Sequence, residues 1–220
     1  MNTSKHLIGE VMKIVEPQID AYLKETQGAS PSPLDEMEAY AREHGFPIIG
    51  PLVGRILQQL VLLTGAKRVF ELGSGYGYSA MWMSMVLPDD GKVICTDTDE
   101  NNERMARDYF KRRGLEHKLD YRRGDAISEF VKEKGPFDLI LNDIDKEGYP
   151  DTVAHVKERL RTGGVFVTDN LLWSGRVIDE IPPKESTQGV LKFTDMIYND
   201  PDFMVSILPV RDGVAVAVKR

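Results

Sequence analysis

Three groups of residues in this chain have types and spacings suited to chemistry. In the first, the apolar run Val69-Phe70-Glu71-Leu72 empties into Gly73-Ser74-Gly75-Tyr76-Gly77-Tyr78-Ser79. A strand that runs through a glycine turn into a helix lets a ligand approach the backbone closely, and the helix start offers free N–H groups to an anion. A dinucleotide fingerprint would place its third glycine at position 78, but Tyr78 stands there and the third glycine is Gly77. The next apolar run ends at Asp97, a carboxylate suited to accepting both hydroxyls of a ribose. The pair fits an adenosine-containing cofactor, although a purely structural turn has the same pattern.

The second group closes two later apolar runs: Leu141-Asn142-Asp143 and Val167-Thr168-Asp169-Asn170. Neighbouring carboxyl ends of strands converge on the ligand crevice of an open α/β sheet. Asp143, Asp169 and Asn170 then offer two carboxylates and an amide oxygen, a hard-oxygen set suited to Mg²⁺, with Mn²⁺ or Ca²⁺ as alternatives. The same residues can instead cap the helices that follow. The four histidines, His6, His44, His117 and His155, are scattered, which does not suggest a zinc-type site. The third feature is Lys146, in Asp143-Ile144-Asp145-Lys146. A nearby divalent cation disfavours the charged form of a lysine and suits it to general-base work. A surface lysine paired with Asp145 or Glu147 is the plainer alternative.

Positioning these groups requires a parallel sheet. From Lys67 onward, β-rich runs over 68–72, 92–96, 119–122, 137–141 and 165–168 alternate with helical stretches near 79–86, 100–113, 126–134 and 150–160. Two further β-rich runs, 204–210 and 214–219, flank Arg211-Asp212-Gly213, where Asp-Gly signals a hairpin. The expected fold class is α/β, a mostly parallel seven-stranded sheet finished by an antiparallel pair, with helices on both faces. Before it, helices are expected over 5–24, 35–44 and 53–64, with a loop over 27–33. The 220 residues suit one domain. We divide it into an N-terminal helical cap, 1–46, and a core, 47–220.

Composition narrows the classes. No apolar run is long enough to span a bilayer, and the N-terminus has no signal-peptide pattern, so a cytoplasmic protein is expected. The lone Cys95, inside Val93-Ile94-Cys95, excludes an intrachain disulfide and reads as a small buried hydrophobe. A net charge of −7 argues against a partner held mainly through phosphates. A local basic stretch, Lys111, Arg112, Arg113, Lys118, Arg122 and Arg123, reads as a solvated helix end and strand start, but keeps RNA open as a partner.

Taken together, these motifs resemble the cation-dependent O-methyltransferases, the group containing the catechol and caffeoyl-CoA O-methyltransferases and many small bacterial relatives. The resemblance runs from about Pro47 to the C-terminus. It is carried by Glu71-Leu72-Gly73 through Gly77-Tyr78-Ser79-Ala80, by Asp143 through Lys146, and by Asp169-Asn170-Leu171-Leu172-Trp173-Ser174-Gly175-Arg176. It implies a Rossmann-like class I methyltransferase fold, S-adenosylmethionine as methyl donor and a divalent cation on Asp143, Asp169 and Asn170. Lys146 would be the catalytic base. Gly73 and Ser79, with the backbone near Ile49, would hold the methionine end of the cofactor, helped by Glu71, Gly75, Tyr78 and Asp143. Asp97 would take the ribose, and Asp125 and Ala126 would border the adenine. Trp173 and Arg176 are the candidate substrate contacts. The implied acceptor is a small catechol-type vicinal diol, and a homodimer is expected.

The sequence departs from the family pattern at Leu191 and Thr194, where many relatives carry an arginine and an asparagine, and at Pro51 and Val53, where relatives are more polar. Two alternatives remain. One is a tRNA hydroxyuridine O-methyltransferase using the same metal site. The other is an NAD-binding or non-catalytic nucleotide-binding Rossmann-like protein.

Overall fold

The computed structural model describes residues 13–178 and 184–220. Three helices come first: α1 (Pro17–Gln27), α2 (Leu34–His44) and α3 (Gly50–Thr64). The part of the expected 5–24 helix that precedes residue 13 lies outside the described residues. The alternating segment follows as β1 (Arg68–Leu72), α4 (Tyr78–Ser84), β2 (Lys92–Asp97), α5 (Glu100–Arg113), β3 (Leu119–Arg123), α6 (Ala126–Lys132) and β4 (Phe137–Asn142). It ends with α7 (Tyr149–Arg159), β5 (Leu160–Thr168), α8 (Glu185–Asn199), β6 (Phe203–Leu208) and β7 (Val214–Lys219).

The seven strands form one sheet in the order β3-β2-β1-β4-β5-β7-β6. Pairings from β3 through β5 are parallel, while β7 runs antiparallel to both β5 and β6. This is the expected architecture, including the terminal antiparallel pair. Strand order reverses between β1 and β4, so a crevice opens there at the carboxyl ends of the strands. The glycine turn and Asp143 both leave the sheet at that point, since Leu72 pairs with Asn142 and the Asp143 N–H donates to the Leu72 carbonyl at 2.9 Å.

Both faces of the sheet are covered. On one, Val53, Leu57, Val61, Met81, Trp82 and Phe110 pack against Val69, Val93, Leu139 and Val167. On the other, Phe130, Tyr149, Val156, Val190, Phe193 and Ile197 pack against Phe70, Ile140 and Phe166. Strands buried on both faces are apolar nearly throughout, which is why β4 reads as a continuous run.

Two features differ from the sequence expectation. Helix α8 had no assigned element, because Ser186, Thr187 and Gly189 weaken the helical pattern over its first turns. Its buried face, Val190, Phe193 and Ile197, has helical spacing and overrides that weakness. Strand β5 also begins at Leu160, before the expected 165, because Leu160 pairs with Phe137 and the register then shifts around Gly163 and Gly164.

Helices α3 and α4 meet at Gly54, where a Cβ would stand 2.5 Å from the Trp82 indole nitrogen. Trp82 is almost wholly buried and has little room to give. Gly54→Ala is therefore expected to destabilise the fold by about 1–3 kcal/mol through overpacking. Urea unfolding of the variant checks this, and an unchanged midpoint would contradict the close approach.

Candidate active site

A cavity of about 1050 Å³ opens at the carboxyl end of the sheet. Its floor is the glycine turn. Gly73 has φ +79°, and a Cβ there would lie 2.7 Å from the Asp143 carbonyl oxygen, so only glycine lets the turn and the end of β4 approach this closely. The Gly75 N–H donates to Asp97 Oδ2 at 3.1 Å, and the Asp99 N–H and the Asn102 amide donate to Asp97 Oδ1. Asp97 thus shapes the turn and still lines the cavity. Asp125 caps α6 by accepting the Ser128 N–H at 2.8 Å, and hydrogen bonding from the Ser128 hydroxyl and then its N–H holds the carboxyl below the usual range. With Ala126 it forms the far edge of the cavity.

Several predicted residues sit differently from one another. Ser79, Gly75 and Ile49 line the cavity, whereas Glu71 lies wholly buried below its floor. Glu71 accepts the Ser79 hydroxyl through a short hydrogen bond and stands 3.6 Å from the Cys95 thiol. Cys95 is buried, as its apolar run implied, and burial pushes its thiol up. Tyr78 reaches the cavity wall, but its hydroxyl donates to Glu38 at 2.8 Å, and the Tyr76 hydroxyl donates to the Met37 carbonyl at 2.9 Å. The two tyrosines beside Gly77 therefore bind α2 to the glycine turn.

At the other end stand Asp143, Lys146, Asp169 and Asn170. Lys146 Nζ is 3.1 Å from Asp143 Oδ1 and also donates to the Ile144 carbonyl. Lys146 itself is buried in a short 3-10 turn, Lys146–Gly148. Helix α8 packs onto that turn at Gly189, where a Cβ would collide with the Lys146 carbonyl. Tyr149 is a buried strut whose hydroxyl donates to the Asp169 carbonyl at 2.9 Å.

The two acids are electrostatically strained. Burial raises the carboxyl of Asp143, opposed by Lys146 and Arg211. Asp169 is pushed up to about 7, first by burial and then by the charge of Asp143. Asp169 Oδ1 is buried without a hydrogen-bond donor. Among the described residues no three His, Cys, Asp or Glu side chains are placed so that they alone could hold a metal ion, so a three-oxygen set here needs the Asn170 amide. An orphaned carboxylate oxygen, a second acid and an amide oxygen fit a hard divalent cation.

Trp173 lines this end, and its ring centroid is 5.6 Å from Lys146 Nζ and 5.1 Å from the Arg176 guanidinium. Arg176 lies outside the cavity lining. Sequence reading missed Arg211, Glu38 and Arg42 on the walls. They come from distant elements, and only the αL backbone of Arg211, φ 51°, beside Asp212-Gly213 marks it as unusual.

The basic stretch is largely neutralised. Arg112 pairs with Glu36, Arg122 with Asp120 and Glu133, and Arg123 with Glu100. Lys118 is not solvated as expected. It is buried, and its ammonium donates to the Leu87 carbonyl at 2.6 Å.

Known proteins similar to this chain show its family. A family model described as O-methyltransferase matches residues 32–220. A catechol O-methyltransferase of Niastella koreensis is 32% identical over 213 residues, covering 92% of this chain and 96% of its own. A caffeoyl-CoA O-methyltransferase of Medicago sativa is 30% identical over 177 residues, 74% of this chain and 71% of its own. The solved O-methyltransferase from Bacillus cereus in complex with SAH has a TM-score of 0.84 and 27% identity, covering 92% of this chain and 97% of its own. The chain belongs to the O-methyltransferase family.

Glu71 yields a pH prediction. Burial raises its folded carboxyl from an ordinary 4.5 to about 7, so the folded state holds the extra proton. Its contribution to stability is full below the ordinary value and is lost as pH rises through about 7. Asp169 acts in the same direction. Urea midpoints measured between about pH 5 and 8 should therefore fall in chelated protein. Glu71→Gln should flatten part of that slope, and a parallel slope in the variant would assign the titration elsewhere.

Proposed function

We propose that this chain transfers a methyl group from S-adenosylmethionine to a hydroxyl of a small catechol-type vicinal diol. In this reading Asp143, Asp169 and Asn170 hold a divalent cation, Mg²⁺ before Mn²⁺ or Ca²⁺, and Lys146 is the general base. The observation that carries it is the buried, donorless Asp169 oxygen beside Asp143, in the same cavity as the glycine turn. The relatives named catechol and caffeoyl-CoA O-methyltransferase support the acceptor class, and the SAH-bound relative supports the donor.

When bound, the cation supplies Lewis acidity that makes a hydroxyl easier to deprotonate. The chain's own residues do the rest. Lys146 Nζ, held by Asp143 and the Ile144 carbonyl, receives the proton of the reacting hydroxyl. Gly73, Gly75 and Ser79 seat the methionine end of the donor, with the Ile49 backbone opposite. Asp97 takes the ribose, while Asp125 and Ala126 flank the base. Trp173 gives the acceptor ring a wall, and Phe46 and Ile48 add apolar lining to the cavity. Orientation of oxygen, methyl and sulfur in one line is the main contribution of such a frame. The internal pairing of Arg112, Arg122 and Arg123 favours this small-molecule reading over tRNA.

The test is methyl transfer from labelled S-adenosylmethionine to caffeic acid with Mg²⁺ and with chelator. Lys146→Ala should lower kcat by about 10²–10⁴ while leaving S-adenosylhomocysteine affinity intact. Product formed equally well in chelator, or by the variant, would refute the assignment.

A further inference from the structure

Arg211 is a cavity residue with no ligand assigned to it. It sits in the loop between β6 and β7 with φ 51°, a conformation that glycine adopts freely and arginine rarely does. That loop is knitted to the acid end of the cavity. The Leu171 N–H donates to the Gly213 carbonyl, the Leu172 N–H to the Asp212 carbonyl, and the Ser174 N–H to Asp212 Oδ1. From there the Arg211 side chain crosses to the opposite wall, where Nη1 donates to the Ile48 carbonyl at 2.5 Å. It lies flat against Gly50, whose own φ is +71° and whose Cβ would stand 3.0 Å from Nη1. Arginine has five donors in a fixed fork, and one hydrogen bond leaves most of them unused. Among the described residues, no carboxylate forms an ion pair with this guanidinium.

A half-buried guanidinium on a cavity wall, anchored at one nitrogen and unpaired at the rest, is a carboxylate receptor by chemistry. Resting on the methyl-transfer reading above, we infer that Arg211 binds a carboxylate inside the cavity. Two sources carry one: the methionine end of the methyl donor, and an acidic group on the acceptor. The contact with the Ile48–Gly50 wall points to the donor, and the link to the Asn170–Ser174 segment leaves the acceptor within reach. In either case the fork orients the ligand, because a bidentate pair fixes a plane as well as a position.

The experiment compares the intact protein with Arg211→Gln and Arg211→Lys. Glutamine keeps a donor for the Ile48 carbonyl and removes the charge, whereas lysine keeps the charge. Thermal melting confirms that both variants fold. Binding is measured by calorimetry with S-adenosylhomocysteine and with methylthioadenosine, which lacks the amino-acid end. A loss of about tenfold or more for S-adenosylhomocysteine in Arg211→Gln, with methylthioadenosine unchanged and partial rescue by Arg211→Lys, assigns the donor carboxylate. A matching rise in KM for caffeic acid but not for catechol assigns the acceptor carboxylate. Flat responses in both arms, or equal losses for all four ligands, overturn the inference, since a latch or a counter-charge for the acids would behave that way. Failure of the unaltered protein to bind S-adenosylhomocysteine would instead count against the methyl-transfer reading itself.

Discussion

Two neighbouring carboxylates at the ends of adjacent strands, Asp169 buried and Asp143 half-buried, are the constraint on which this molecule turns. Charge on either is disfavoured by burial, and charge on both is disfavoured again by repulsion. Lys146 and Arg211 offset part of that cost, but one Asp169 oxygen has no donor at all. Such an arrangement persists only where the surrounding fold over-determines it. Here the register of β4 and β5 sets Asn142 beside Thr168, Tyr149 props the Asp169 backbone, and Gly189 lets α8 press the lysine turn into place.

The two ends of the cavity are mechanically one object. Gly73 rests on the carbonyl of Asp143, so the cofactor turn cannot shift without moving the first acid. The hydroxyls of Tyr76 and Tyr78 carry the same turn to α2, and Glu38 also accepts the Ser30 hydroxyl. Arg211 closes the circuit between the C-terminal loop and the segment leading into α3. Alignment of two bound molecules is then a property of the backbone frame more than of any single contact.

Much of this was legible in the sequence because it follows local rules. Apolar runs that end in Gly73, Asp97, Asp143 and Asp169 mark strand ends, and strand ends in a parallel sheet share one edge. Asp212-Gly213 marked the closing hairpin for the same kind of reason. What escaped was long-range. Helix α8 is held by packing on the sheet and on the lysine turn, which its early glycine and β-branched residues conceal. Glu71 lies beneath the floor, where it accepts the Ser79 hydroxyl, and its place in the motif does not reveal that. Lys118 read as solvated because lysines usually are. The Leu87 carbonyl that holds it, just past α4, cannot be seen from its own neighbourhood. Residues such as Glu38 and Arg211 reach the site across the fold, and spacing carries no trace of that.

The acid pair is proposed to hold a divalent cation. Its most direct test is calorimetric titration of Mg²⁺ or Mn²⁺ into the S-adenosylhomocysteine-bound protein and into Asp169→Asn. Saturable binding to the unaltered protein is expected, weakened by about tenfold or more in the variant, with S-adenosylhomocysteine affinity preserved. Absence of saturable cation binding in a protein that still binds S-adenosylhomocysteine would contradict it.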